Sequence, residues 1–182
     1  MPKLTTKEFN TPEYWGKGGN IPGGYGDYQG KRPHDDWLER AQTLIRNYGL
    51  SGKVLELGCA MGSWVEAMRR TGLEAYGLDL PWPIDFALAN LWPELEPCLV
   101  KADARDYLSS SVRRKGEWDF IVSWNFLECL SDKDLRLVVP KLDYVAKDQI
   151  HIIDPRADGE FYNRKTLAEW RELVGGVVLD GC

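Results

Sequence analysis

At 182 residues the chain has the size of one domain, and its 43% hydrophobic content suffices for a single sizeable core. The net charge of −5 arises without a block of five or six like charges, which argues against gripping a long phosphate backbone or a membrane surface by overall charge. The short basic clusters Arg69-Arg70 and Arg113-Arg114-Lys115 read as a solvated helix end and a loop.

No basic start followed by an apolar stretch opens the chain, and no run approaches the roughly 18 apolar residues that span a bilayer, so a cytoplasmic protein without membrane contact is expected. Cys59, Cys98, Cys129 and Cys182 include no C-x-x-C pair, and with only His34 and His151 beside them no metal site is expected.

Residues 1–34 form a segment of their own. Residues 12–34 hold Tyr14, Trp15, Tyr25 and Tyr28 among seven glycines and three prolines, which reads as loop. Disordered linkers tend to lack aromatics, so this segment is expected to fold over a site as a lid. Residues 35–182 read as the domain proper. From Asp35 a helical period places Trp37, Ala41, Leu44 and Tyr48 on one face, with Gly49 as the stop. Val54–Leu57 predicts a first strand, Gly58–Gly62 a glycine turn, and Ser63 with Glu66 the capping box of a helix. Further strands are predicted at Ala75–Leu80, Leu99–Ala102, Phe120–Ser123 and Ile150–Ile153. Helices are predicted from about Ser131 to Val145, disturbed at Pro140, and from Thr166, whose capping partner is Glu169.

Strands alternating with helices imply right-handed crossovers and an α/β, Rossmann-like doubly wound fold: a mostly parallel sheet with helices on both faces. Ligands of such sheets bind at the carboxyl ends of the strands, near the topological switch point.

The turn Glu56-Leu57-Gly58-Cys59-Ala60-Met61-Gly62 lies at that end. Small residues at 58, 60 and 62 let backbone approach a ligand at a helix N-terminus. No Gly-Lys-Ser/Thr follows, so this is not a P-loop. Nor is the dinucleotide fingerprint intact, because Gly62 stands four residues after Gly58 rather than five and Ala60 replaces the middle glycine. Asp79, 23 positions beyond Glu56, ends the second strand, where a carboxylate accepts hydrogen bonds from ribose hydroxyls. Asp103 ends the third strand, within reach of an exocyclic adenine amine, unless it merely caps the next helix. Leu80 and Trp82 offer apolar cover for the ring.

These motifs resemble class I S-adenosylmethionine-dependent methyltransferases over about residues 37–174. Val54–Gly62 is similar to the first motif of that family, Tyr76–Asp79 to the second, Lys101–Ala104 to the third and Trp118–Glu128 to the fourth. The resemblance implies S-adenosylmethionine as cofactor. It places Glu56, Gly58, Cys59, Ala60 and Gly62 at its methionine part, Asp79 and Leu80 at the ribose and adenine, and Asp103 and Ala104 at the adenine. Ser123, Trp124 and Asn125 are implied beside the reactive methyl, Asn125 toward the acceptor. Cys129 stands where many relatives have histidine. The family usually closes its sheet with two strands after the last helix, whereas only Val177-Val178-Leu179 is left here; a sheet lacking the last of the usual seven strands is expected. Its uncovered edge needs protection, by brevity, by the N-terminal segment or by a homodimer.

A sulfonium methyl is already activated, so alignment does most of the catalysis and no base is obligatory. For a hydroxyl or ammonium acceptor the candidate bases are Asp154, at the end of the fifth strand, and His34; His151, inside that strand, reads as a packed core residue. Tyr14, Tyr25 and Tyr28 are candidates to line the acceptor pocket. A small-molecule acceptor fits a small acidic chain best, and nucleic-acid bases fit poorly because Ser123-Trp124-Asn125-Phe126 replaces the Asn/Asp-Pro-Pro-Tyr motif of base-amine methyltransferases. The alternative is a cofactor-binding module without transfer activity that acts through a protein partner.

Overall fold

A computed structural model of the chain describes residues 6–15, 35–154, 163 and 165–181. In chain order it holds two helical turns, α1 (Thr6–Phe9) and α2 (Pro12–Trp15), then α3 (Asp35–Tyr48), β1 (Lys53–Leu57), α4 (Ser63–Arg70) and β2 (Glu74–Asp79). Next come α5 (Pro81–Asn90), a 3-10 turn (Pro93–Cys98), β3 (Leu99–Lys101), α6 (Ala104–Ser109) and β4 (Trp118–Trp124). A second 3-10 turn (Leu127–Cys129) precedes α7 (Asp132–Val145), β5 (Ala146–Ile153), α8 (Leu167–Leu173) and β6 (Val177–Asp180).

The strands form one sheet in the order β3-β2-β1-β4-β5-β6, every pair parallel. The order reverses between β1 and β4, so their carboxyl ends open a crevice at the switch point. Period-2 alternation sends Val54, Phe120, Val122, Ile150 and Ile152 to one face, under Ala41 and Leu44 of α3 and Trp64, Val65 and Met68 of α4. Leu55, Leu57, Ile121 and Ile153 face the other way, against Leu108 of α6, Leu135 and Leu142 of α7 and Trp170 of α8. Both faces are buried, as a parallel sheet requires.

Helix starts show how local chemistry sets the frame. Thr166 accepts from the Glu169 amide at 3.2 Å while the Glu169 carboxylate accepts from the Thr166 amide at 2.7 Å, completing the expected capping box. Ser131 caps α7 in the same manner, its Oγ accepting from the Asp134 N–H at 3.1 Å, and the helix runs through Pro140 to Val145. The capping box expected at Ser63 does not form. Gly62 is the cap instead, in the left-handed region at φ 73° and with no side chain to bond, and Ser63 is the first residue of the helix.

Three other expectations are corrected. Pro12–Trp15 is a helical turn, not loop, and Tyr14 and Trp15 are buried in a third cluster with Ala60, Met61 and Ala87. Tyr48 lies at 38% exposure and leaves the buried stripe of α3 to Ala41 and Leu44. Strands β4 and β5 begin two and four residues before the predicted Phe120 and Ile150, because the parallel ladder extends through Trp118↔Ala146 and Phe120↔Asp148 although Asp119, Lys147 and Asp148 are polar. The sheet has six strands among the described residues, and β6 pairs with β5 from Ile150↔Val177 to Ile153↔Asp180. No helix among the described residues is long and apolar enough to cross a membrane.

Candidate active site

A cavity of about 370 Å³ lies at the carboxyl ends of β1, β2, β3 and β4. Its floor is the turn after β1. The Gly58 and Cys59 amides both donate to the Leu78 carbonyl, at 2.9 and 3.2 Å, folding the chain back over β2. Gly58 has φ 71°, and a Cβ there would stand 2.5 Å from the Phe126 ring, so only glycine fits. Ala60 is also left-handed, at φ 49°, a strained position for a residue with a Cβ.

That conformation turns the Ala60 N–H toward Asp79, whose Oδ2 accepts it at 2.6 Å while Oδ1 accepts the Leu80 N–H at 2.6 Å. The carboxylate is fixed at the mouth of the turn with one lone pair left on each oxygen. Burial outweighs these two bonds and pushes Asp79 up to about 7. Asp103 does cap α6, its Oδ1 accepting the Arg105 N–H at 2.9 Å, and it lines the cavity as well. The Arg105 guanidinium grips both its oxygens and holds its carboxyl below the usual carboxylate range.

The structure brings together Gly58, Ala60, Asp79, Leu80, Asp103, Ala104, Trp124, Asn125 and Tyr14 in the cavity lining. Asn125, at φ 49°, carries a buried Oδ1 without a hydrogen-bond partner among the described residues. Four predicted residues lie behind the lining. Glu56 is buried in β1, its carboxyl held well above its ordinary range by desolvation and then by Asp79. Cys59 packs over Gly77 beside Val65, and Gly62 turns toward Leu99 at the start of α4. Ser123 is fully buried and hydrogen-bonds His151 Nδ1 at 2.8 Å, while His151 Nε2 meets Gln149 Oε1 at 3.0 Å. The Gln149 acceptor makes Nε2 the donor, so Nδ1 accepts the Ser123 hydroxyl. His151 is thus a satisfied core residue, held down to about 4 by burial. Asp154 follows β5 outside the lining, its N–H donated to Glu128 Oε1 at 2.9 Å. Tyr25, Tyr28 and His34 lie outside the described residues.

Sequence reasoning missed several residues of the wall. Phe9 and Phe126 join Trp15 of the expected lid on its aromatic side, and Arg105, Ser131 and Asp134 form a polar side. Arg105 follows Asp103 by two residues and had that signal. Asp134 had none, since only the packing of α6 against α7 brings it near. Glu128, noted only as part of a motif, is buried and pushed up to about 7 by desolvation.

A family model described as a methyltransferase domain matches residues 28–171. A search of curated proteins finds no match. Among solved structures the fold is similar to that of magnesium protoporphyrin IX methyltransferase from Synechocystis, solved with bound SAH. The two share 16% identity and a TM-score of 0.58, over 76% of this chain and 69% of that one. It is also similar to a Methanococcus maripaludis protein assigned to the S-adenosyl-L-methionine-dependent methyltransferases, with 16% identity and a TM-score of 0.54 over 70% of this chain. A third likeness is the PH0226 protein from Pyrococcus horikoshii, with 20% identity and a TM-score of 0.51 over 68% of this chain. The chain spans 57% and 62% of the length of those last two proteins. At such identities the structures establish the fold, and the match over residues 28–171 establishes the lineage: this chain belongs to the methyltransferase-domain family, with the Rossmann-like fold of its S-adenosylmethionine-dependent members.

Proposed function

We propose that the chain transfers a methyl group from S-adenosylmethionine to a small-molecule acceptor. The observation that carries this reading is the Asp79 carboxylate, fixed by the Ala60 and Leu80 amides beside the bare backbone of Gly58. The residues present fit the cofactor. Gly58 and Ala60 line the cavity at the end of β1, Asp79 and Asp103 keep acceptor lone pairs, and Leu80 and Ala104 line the same cavity.

In this reading Asp79 takes the ribose hydroxyls, Asp103 the exocyclic adenine amine, and the main chain of Gly58 and Ala60 the methionine part. Glu56, Cys59 and Gly62 shape that turn from behind. When bound, the cofactor supplies an activated sulfonium methyl, and the protein's task is alignment, worth up to about 7–11 kcal/mol in favourable cases. Trp124 and Asn125 border the acceptor, with the unpartnered Asn125 Oδ1 ready to accept its N–H or O–H. Tyr14, with Phe9 and Trp15, excludes water from that side. Asp154, Tyr25, Tyr28 and His34 keep the roles proposed from sequence: Asp154 and His34 as bases where the acceptor needs one, the two tyrosines as acceptor contacts. A homodimer through the edge strand β6 is part of the proposal, and light scattering tests it.

The test is incubation with methyl-labelled S-adenosylmethionine and a cell extract fractionated by size. Label in small molecules is expected. Label confined to protein or nucleic acid would overturn the acceptor class, and cofactor binding without any label transfer would favour the partner-dependent module.

A further inference from the structure

The wall of the cavity carries a chain of charges that the roles above leave unused. Arg105 joins the N-terminus of α6 to that of α7. Its Nε donates to Asp103 Oδ1 at 2.8 Å and a terminal nitrogen to Asp103 Oδ2, while the other terminal nitrogen reaches Asp134 Oδ1 at 3.2 Å. Asp134 is itself fixed, its Oδ2 accepting the Ser131 hydroxyl at 2.6 Å. All four residues line the cavity, and the Asp103, Arg105 and Asp134 side chains are 19%, 32% and 20% exposed. A two-point Arg–carboxylate fork of this kind fixes direction as well as charge.

Counting lone pairs gives the consequence. Asp103 Oδ1 already accepts from the Arg105 backbone N–H and from Nε, so it is full, while Oδ2 accepts one bond and has one lone pair left. Any ligand contact with Asp103 is confined to that lone pair, whose direction the guanidinium sets. Paired with a cation, the carboxylate is also kept ionised, an acceptor that offers no proton of its own.

We infer that Arg105 is the positioning residue of the base subsite: by orienting Asp103 on one side and anchoring to Asp134 on the other, it sets the Asp103 lone pair so that the adenine end requires the exocyclic amine and rejects a carbonyl in its place. The inference rests on the cofactor reading above. A carboxylate acceptor facing a carbonyl oxygen in place of an amine is left unpaired and repelled, which is how sites built on hydrogen bonds discriminate.

The experiment is calorimetric titration of S-adenosylhomocysteine and S-inosylhomocysteine, which carries a carbonyl in place of the amine, into the wild type, Arg105→Met, Arg105→Lys and Asp134→Asn. The readout is the ratio of the two affinities, which a purely structural loss would leave unchanged. The wild type should prefer the adenosyl compound at least tenfold. Arg105→Met should lower that preference fivefold or more, Arg105→Lys, which restores charge without the fork, should fall between, and Asp134→Asn should lower it less than Arg105→Met. If Arg105→Met fails to fold by circular dichroism, Arg105→Lys and Asp134→Asn decide by the same ratio. An unchanged ratio in the folded variants, or a wild type that binds both compounds equally, overturns the inference alone. A wild type that binds neither overturns the cofactor reading instead.

Discussion

Lowering the pH should switch cofactor affinity off through one carboxyl group. Asp79 is pushed up to about 7 because burial disfavours its charged form more than the Ala60 and Leu80 amides favour it. A ribose diol needs the ionised form, which accepts on both oxygens, so protonation competes with binding. Affinity is then reduced by the factor 1 + 10^(pKa − pH): about twofold at pH 7, about tenfold at pH 6 and about a hundredfold at pH 5, with little loss at pH 8. Stability of the unliganded chain changes with pH in the opposite sense. The folded state holds this proton more tightly than the unfolded state, so the chain loses stability as pH rises from the ordinary aspartate range through about 7. The assay is titration of S-adenosylhomocysteine at four pH values, with Asp79→Asn as the neutral reference. The variant should bind weakly with no slope. Glu128, also pushed up to about 7 but outside the lining, is the control: Glu128→Gln should keep the wild-type slope. An affinity that stays flat from pH 8 to pH 5, or a slope that persists in Asp79→Asn, refutes the reasoning.

Gly77→Ala would place a Cβ 2.6 Å from Cys59 Sγ and 2.8 Å from Val65 Cγ2, inside a packed interface. Overpacking of this kind should cost about 3 kcal/mol in urea unfolding. Thr166→Ala removes the cap of α8 and should cost about 1 kcal/mol by the same measurement, with Thr166→Ser restoring it. His151 is neutral in the fold down to about 4, whereas the unfolded chain takes its proton near the ordinary histidine value, so its stabilisation is complete above pH 6.5 and is lost toward pH 4. Relative to His151→Gln, the wild type should lose about 2 kcal/mol between pH 8 and pH 5; a constant difference between the two proteins would contradict the buried assignment.

The strands were legible because each is an apolar run between turn residues, and Val54–Leu57 falls within one residue of β1. Their ends were not, since the backbone ladder carries Asp119, Lys147 and Asp148 where pattern alone stops. The residues at the carboxyl ends were legible for the same reason: a strand's last residue and the turn after it are fixed by chain order, which placed Gly58, Asp79 and Asp103 at one cavity. What lies behind the lining depends on which face a side chain takes. Ser123 alternates to the face under α7 and meets His151 across the parallel register, and Cys59 turns onto Gly77. Those are tertiary choices. The buried position of Tyr14 and Trp15 likewise depends on α5, whose Trp82 and Phe86 receive them.

The central claim is that Asp79 anchors S-adenosylmethionine, and its most direct test is calorimetric binding of the cofactor and S-adenosylhomocysteine to the intact chain and to Asp79→Ala at pH 8. Saturable one-site binding that the substitution reduces at least tenfold, with the fold preserved by circular dichroism, is the predicted result. No binding by the intact chain, or equal binding by both proteins, would contradict it.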